Sequence, residues 1–113
     1  MDNQCYLDEF MAECATETPG PTNERFIGWE DTIYVLVGFG LKTLLPELKE
    51  WVKLGATAIT LKRLEIKKRL LDFAKEKELD YEQAEKAAGV IADKINGKNI
   101  NKLISALEES GAD

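Results

Sequence analysis

The sequence predicts an all-α protein: four or five helices packed around one long central helix at about 46–77, with a C-terminal helical hairpin. Three observations carry that expectation. Residues 46–77, PELKEWVKLGATAITLKRLEIKKRLLDFAKEK, contain no proline after Pro46 and one glycine, Gly55. In that run Leu48, Trp51, Val52, Gly55/Ala56, Ile59, Ile66, Leu70 and Phe73 recur at three- and four-residue steps, the period of one helix face. The third observation is the shorter pair 81–95 and 100–109, which repeats the same apolar period on either side of a strong stop, Asn96-Gly97.

Taken in order, residues 2–16 form a short amphipathic helix, with Leu7, Phe10, Met11 and Cys14 on its apolar side. Pro19-Gly20-Pro21 ends it, because proline blocks helix continuation and restricts the residue before it. Residues 17–30 follow as a loop anchored by Phe26, Ile27 and Trp29, which either pack on the core or offer an apolar contact to a partner. Residues 32–45, with Asp31 or Thr32 as cap, are the most ambiguous stretch. Ile33-Tyr34-Val35-Leu36-Val37 suits a buried strand, and short apolar runs cannot be assigned by period alone. Helix is favoured because no second strand is in sight, and a lone strand leaves its backbone groups unmatched.

Pro46 opens the long helix where its missing N–H costs nothing, and Glu47, Glu50, Lys75 and Lys77 follow the charge order a helix dipole favours. Gly55 to Thr60 is a point of softening, since Gly and Thr lower helix propensity. Residues 78–80 break the run. Asp80 and Gln83 have capping-box spacing for the helix at 81–95, whose Ala84, Ala87 and Ala88 imply a close-packed neighbour. Asn99 caps the last helix. The expected organisation is one domain, 1–113: an acidic N-terminal helix and anchored loop at 1–31, then a helical core at 32–113.

Net charge is −6, unevenly spread: −7 over residues 1–41, +5 over 42–77 and −4 over 78–113. A basic middle between acidic ends suggests that the ends fold back over the long helix. Histidine is absent, which removes the commonest general base, metal ligand and near-neutral pH switch together. Cys5 and Cys14 fall on opposite faces of the first helix, ~13 Å apart along its axis, too far for an internal disulfide. Two unlinked cysteines and no secretory pattern at the N-terminus point to a cytoplasmic protein.

The candidate chemistries are thin. Lys62, Arg63, Lys67, Lys68 and Arg69 spread around the helix rather than forming the single stripe that phosphate contacts need, so nucleic acid is disfavoured as a partner. A membrane span needs roughly 20 apolar residues, and Lys42 interrupts the apolar run too soon. Acidic pairs at Asp8/Glu9, Glu30/Asp31 and Glu108/Glu109 have no histidine beside them and read as surface charge. Gly38-Phe39-Gly40 lacks the rest of any phosphate-binding loop. No catalytic, cofactor-binding or metal-ligating residue is expected, and no enzyme.

One feature has a physical reason behind it. Leu54, Ala58, Leu61, Leu64 and Leu71 make a second apolar seam on the long helix, well away from the first. A helix apolar on two sides must bury both, by a central position in the monomer or against another chain. The expected function is therefore a non-enzymatic protein–protein interaction module, most specifically a small acidic inhibitor or immunity-type protein that blocks a basic target. The alternative is a structural homo-oligomer or regulatory adaptor assembled through the long helix. The expected contact residues are Asp8, Glu9 and Glu13 for charge, Phe26 and Trp29 for aromatic anchoring, and Leu61, Leu64 and Leu71 for the seam.

Overall fold

In the computed structural model, residues 3–16 and 28–110 are described, with side chains from Cys5 to Thr16 and from Gly28 to Glu109. All regular structure among them is helical, as the sequence predicts. Helix α1 is Asn3–Ala15. It is followed by α2 (Trp29–Val35), a π-helical turn (Leu36–Gly40), α3 (Leu41–Thr43), α4 (Leu45–Lys53), α5 (Ala56–Leu61), α6 (Arg63–Glu76), α7 (Tyr81–Lys94) and α8 (Ile100–Ser110). The anchored loop expected at 17–30 lies, up to residue 27, outside the described residues.

Residues 32–45 are helical, not a strand. The helix starts earlier than the Asp31/Thr32 cap implies: Gly28, at φ 84°, takes the N-cap position, and Glu30 and Asp31 fall in the first turn. Near its middle the backbone widens into the π-turn. The two glycines flanking Phe39 weaken the ordinary α-helical preference there. Gly40 also permits a close approach: a Cβ on it would lie 3.0 Å from Leu70 and 3.3 Å from Phe73 of α6.

The expected single rod at 46–77 is broken into α4, α5 and α6. Gly55 has φ 110° and ψ 167°, a backbone region essentially reserved for glycine, and there the chain changes direction. A milder corner follows at Lys62, whose N–H is shared between the Ala58 and Ile59 carbonyls. Arg63 pins that corner from within, its Nε and Nη2 donating to the Ile95 carbonyl at 3.3 and 3.2 Å. The main apolar stripe nonetheless survives the break. Leu48, Ile59, Ile66 and Leu70 are fully buried, and Trp51, Val52 and Phe73 pack partly against them.

Helix α6 ends in a Schellman motif: Leu79 N–H donates to the Ala74 carbonyl (3.0 Å) and Glu78 N–H to that of Lys75 (3.1 Å). Glu78 occupies the left-handed position at φ 61°. Asp80 then caps α7 as expected, its carboxylate accepting from Gln83 N–H at 2.9 Å. Ala84, Ala87 and Ala88 are fully buried, and the neighbour their small size implies is α6, which makes the most extensive helix pairing in the molecule with α7. Helix α8 packs chiefly on α1 and α4, so the expected C-terminal hairpin of 81–95 with 100–109 is replaced by an α6–α7 pair and an α1–α8 pair. The physical reason lies in the connection: the Asn96 side chain accepts from the Lys98 and Asn99 N–H groups, and Asn99 accepts from Asn96 N–H while donating to the Lys94 carbonyl. That tight bend sends the last helix away from α7. Among the described residues, the charge complementarity of middle and ends is realised where Lys49 of α4 pairs with Glu108 of α8.

Candidate functional site

The second seam divides into an exposed part and a covered part. Leu54, Leu61 and Leu64 are 69%, 76% and 81% exposed. Leu61 and Leu64 stand three residues apart across the α5–α6 corner, and Leu54 sits at the end of α4. Ala58 and Leu71 are both half-buried, Leu71 with one side packed against the core. Had the segment been one straight rod, a single neighbour would have had to cover the whole seam. With the chain broken at Gly55, Leu71 is half-buried against the core and Leu54, Leu61 and Leu64 stay exposed.

The aromatic anchors fare differently. Trp29 is only 5% exposed, and its indole N–H donates to the Ala15 carbonyl at 2.9 Å. It ties the start of α2 to the end of α1 and is a core residue, not an exposed contact. Its length lets the ring reach the core while the N–H satisfies a helix-terminal carbonyl. Phe26 lies outside the described residues.

Asp8, Glu9 and Glu13 are exposed on α1. Asp8 also lines a cleft of about 620 Å³ between α1 and α2, facing Glu30, Asp31 and the exposed Tyr34. No group of three or more metal-ligating side chains occurs among the described residues. On the same helix Tyr6 is half-buried. Burial pushes its phenol above the ordinary value, Glu13's charge adds to this, and a hydrogen bond with the Asn99 side chain works the other way.

The basic cluster is largely committed to intramolecular contacts. Arg63 holds Ile95, Arg69 pairs with Glu47 at 3.0 Å, and Lys62 lies over the Trp51 ring, 5.5 Å from its centroid. Cys5 is exposed and Cys14 buried, with no disulfide between them.

A feature the sequence reading missed is an apolar trough of about 610 Å³ between the π-turn and the end of α6. Val35, Phe39, Phe73 and Leu79 line it, with Lys42 and Lys77 among its walls. Phe39 is 54% exposed and meets Tyr34 edge-on, ring centroids 6.2 Å apart. The signal was the Gly-Phe-Gly triplet: a large aromatic between two helix-weakening residues. Compared with known proteins, the chain matches no protein-family model, no curated protein and no solved structure. Among the described residues no helix is long and apolar enough to cross a membrane.

Proposed function

We propose that this chain is a non-enzymatic interaction module that binds another protein, with Leu61 and Leu64 at the centre of the contact and Leu54 beside them. The observation that carries this reading is the exposure of three leucines within residues 54–64. Isolated exposed leucines are ordinary, but two of these stand three residues apart on either side of the α5–α6 corner. Covering a leucine contributes about 1.5–3 kcal/mol. Association itself costs ~4–15 kcal/mol, so the leucines alone do not make a tight complex and the contact must extend to surrounding polar groups.

The sharper form of the proposal is a small acidic inhibitor or immunity-type protein acting on a basic target. The net charge of −6 and the exposed Asp8, Glu9 and Glu13 support it, because such charge speeds encounter with a basic surface. With Trp29 inside the core, the leucines take the anchoring role. The two unlinked cysteines support a reducing, cytoplasmic setting.

A second reading, self-association or an adaptor role through the same corner, is favoured by charges of both signs near it. Glu65 and Lys68 are exposed and can pair across a two-fold axis, as can the exposed Glu50 and Lys53 by exchanging the 3.8 Å pair they make with each other. A photo-crosslinking residue in place of Leu64, expressed in the native host, tests both. Linkage to a different, basic protein supports the inhibitor form, linkage to a second copy supports the oligomer, and no linkage contradicts the interaction module.

A further inference from the structure

The trough between the π-turn and α6 lies away from the leucine corner. Phe73 is nine residues beyond Leu64 on α6, which places it roughly 180° around the helix and ~13 Å along it. Three features of the trough point to a ligand of one chemistry. Its walls are almost wholly apolar, and Phe39, the residue the π-turn turns outward, stays exposed although α6 packs directly beneath. π-turns within helices are frequent at functional sites. Finally, both charged residues in the walls are cations. Among the described residues neither Lys42 nor Lys77 has a carboxylate at ion-pair distance, and Lys77 lies over the Phe73 ring at 5.6 Å. Glu76 and Glu78 flank Lys77 in sequence but do not line the trough.

We propose that this trough is a second docking site, for a segment of a partner protein that carries a bulky apolar side chain next to one or more carboxylates. The apolar side chain sits between Phe39 and Phe73, and the carboxylates meet Lys42 and Lys77. A free aliphatic carboxylate offers the same groups, but small ligands of that kind are ordinarily enclosed over most of their surface, and this trough is open to solvent. An amphipathic segment laid along an open groove buries one face only, which fits. The proposal stands apart from the leucine contact and does not depend on it.

The test is to pan a displayed library of random short peptides on the full chain and to synthesise the most enriched sequence. Enriched peptides are expected to combine a bulky apolar residue with adjacent Asp or Glu, and binding should weaken as salt is raised. F39A and the double variant K42E/K77E should each lower affinity at least ~tenfold, while L61E/L64E should leave it unchanged. Backbone NMR shifts of the parent protein should centre on Phe39, Phe73 and Lys77, a readout that needs no variant. Peptides without acidic residues, shifts centred elsewhere, equal binding by F39A and K42E/K77E, or loss of binding in L61E/L64E would overturn the assignment. So would oleate shifting those resonances where the enriched peptide does not.

Discussion

Gly97 and Ala56 touch across the molecule: a Cβ built on Gly97 would lie 2.4 Å from the Ala56 Cβ and 3.0 Å from its Cα. The start of α5 thus rests directly on the bend between α7 and α8. Gly97 does not adopt the left-handed conformation that the Asn96-Gly97 stop suggests, since among the described residues the positive-φ glycines are Gly28 and Gly55. Its role is close approach. Gly97→Ala should destabilise the protein by about 1–3 kcal/mol through overpacking. Denaturant unfolding of G97A, A56G and the double variant checks this. The double variant should lose clearly less than the sum of the two single losses.

Gly55 gives a test by sign. At φ 110° and ψ 167° an alanine is strained, and Gly55→Ala should cost about 1–3 kcal/mol. In an unbroken helix the same change would stabilise by up to about 1 kcal/mol. The direction of the shift in unfolding midpoint distinguishes a corner from a rod.

Glu78 holds the left-handed position of the Schellman motif without being glycine. A Cβ there costs about 1–2 kcal/mol, so Glu78→Gly should raise stability by about 1 kcal/mol. Thermal and urea unfolding of E78G measure the gain.

Tyr6 sets an alkaline limit. Its folded-state pKa is raised by burial, with Glu13 adding, above the ordinary 10.0. A raised value means that the folded state holds the proton more tightly. The stability from this group is complete below the unfolded phenol's pKa and is lost as pH climbs to and through the folded one. Tyr6→Phe should flatten the stability profile above about pH 10, and phenolate absorbance should lose a component that titrates above the ordinary phenol value.

Much of the fold was legible because apolar spacing and caps are local. Spacing puts Leu48, Ile59, Ile66 and Leu70 on one buried stripe, and they are fully buried. The distance of Asp80 from Gln83 marks it as a cap, and the bond forms. The break at Gly55 was visible only as a softening. Apolar period continues through it, and the energy of one glycine does not reveal whether a helix bends or runs on. The pairing of α8 with α1 was hidden for another reason. Helices so far apart in sequence meet through side-chain fit and through the Asn96/Asn99 bend, and neither leaves a periodic signal. At the surface, the exposed Leu61 and Leu64 lie on the seam that spacing picks out, whereas Trp29 belongs to the core and Leu71 is half-buried against it. A sequence pattern marks a residue as apolar. It does not say which of two greasy faces the tertiary structure will cover.

The most direct measurement pairs circular dichroism with partner or self-association assays on L61E/L64E. Both leucines project into solvent, so the double variant should keep parental helicity and unfolding midpoint within about 0.5 kcal/mol. If that corner is the contact, the same protein should lose its crosslinked partner, or fall from dimer to monomer in light scattering. Retained association, or collapse of helicity, would contradict the claim that the molecule works through those two residues.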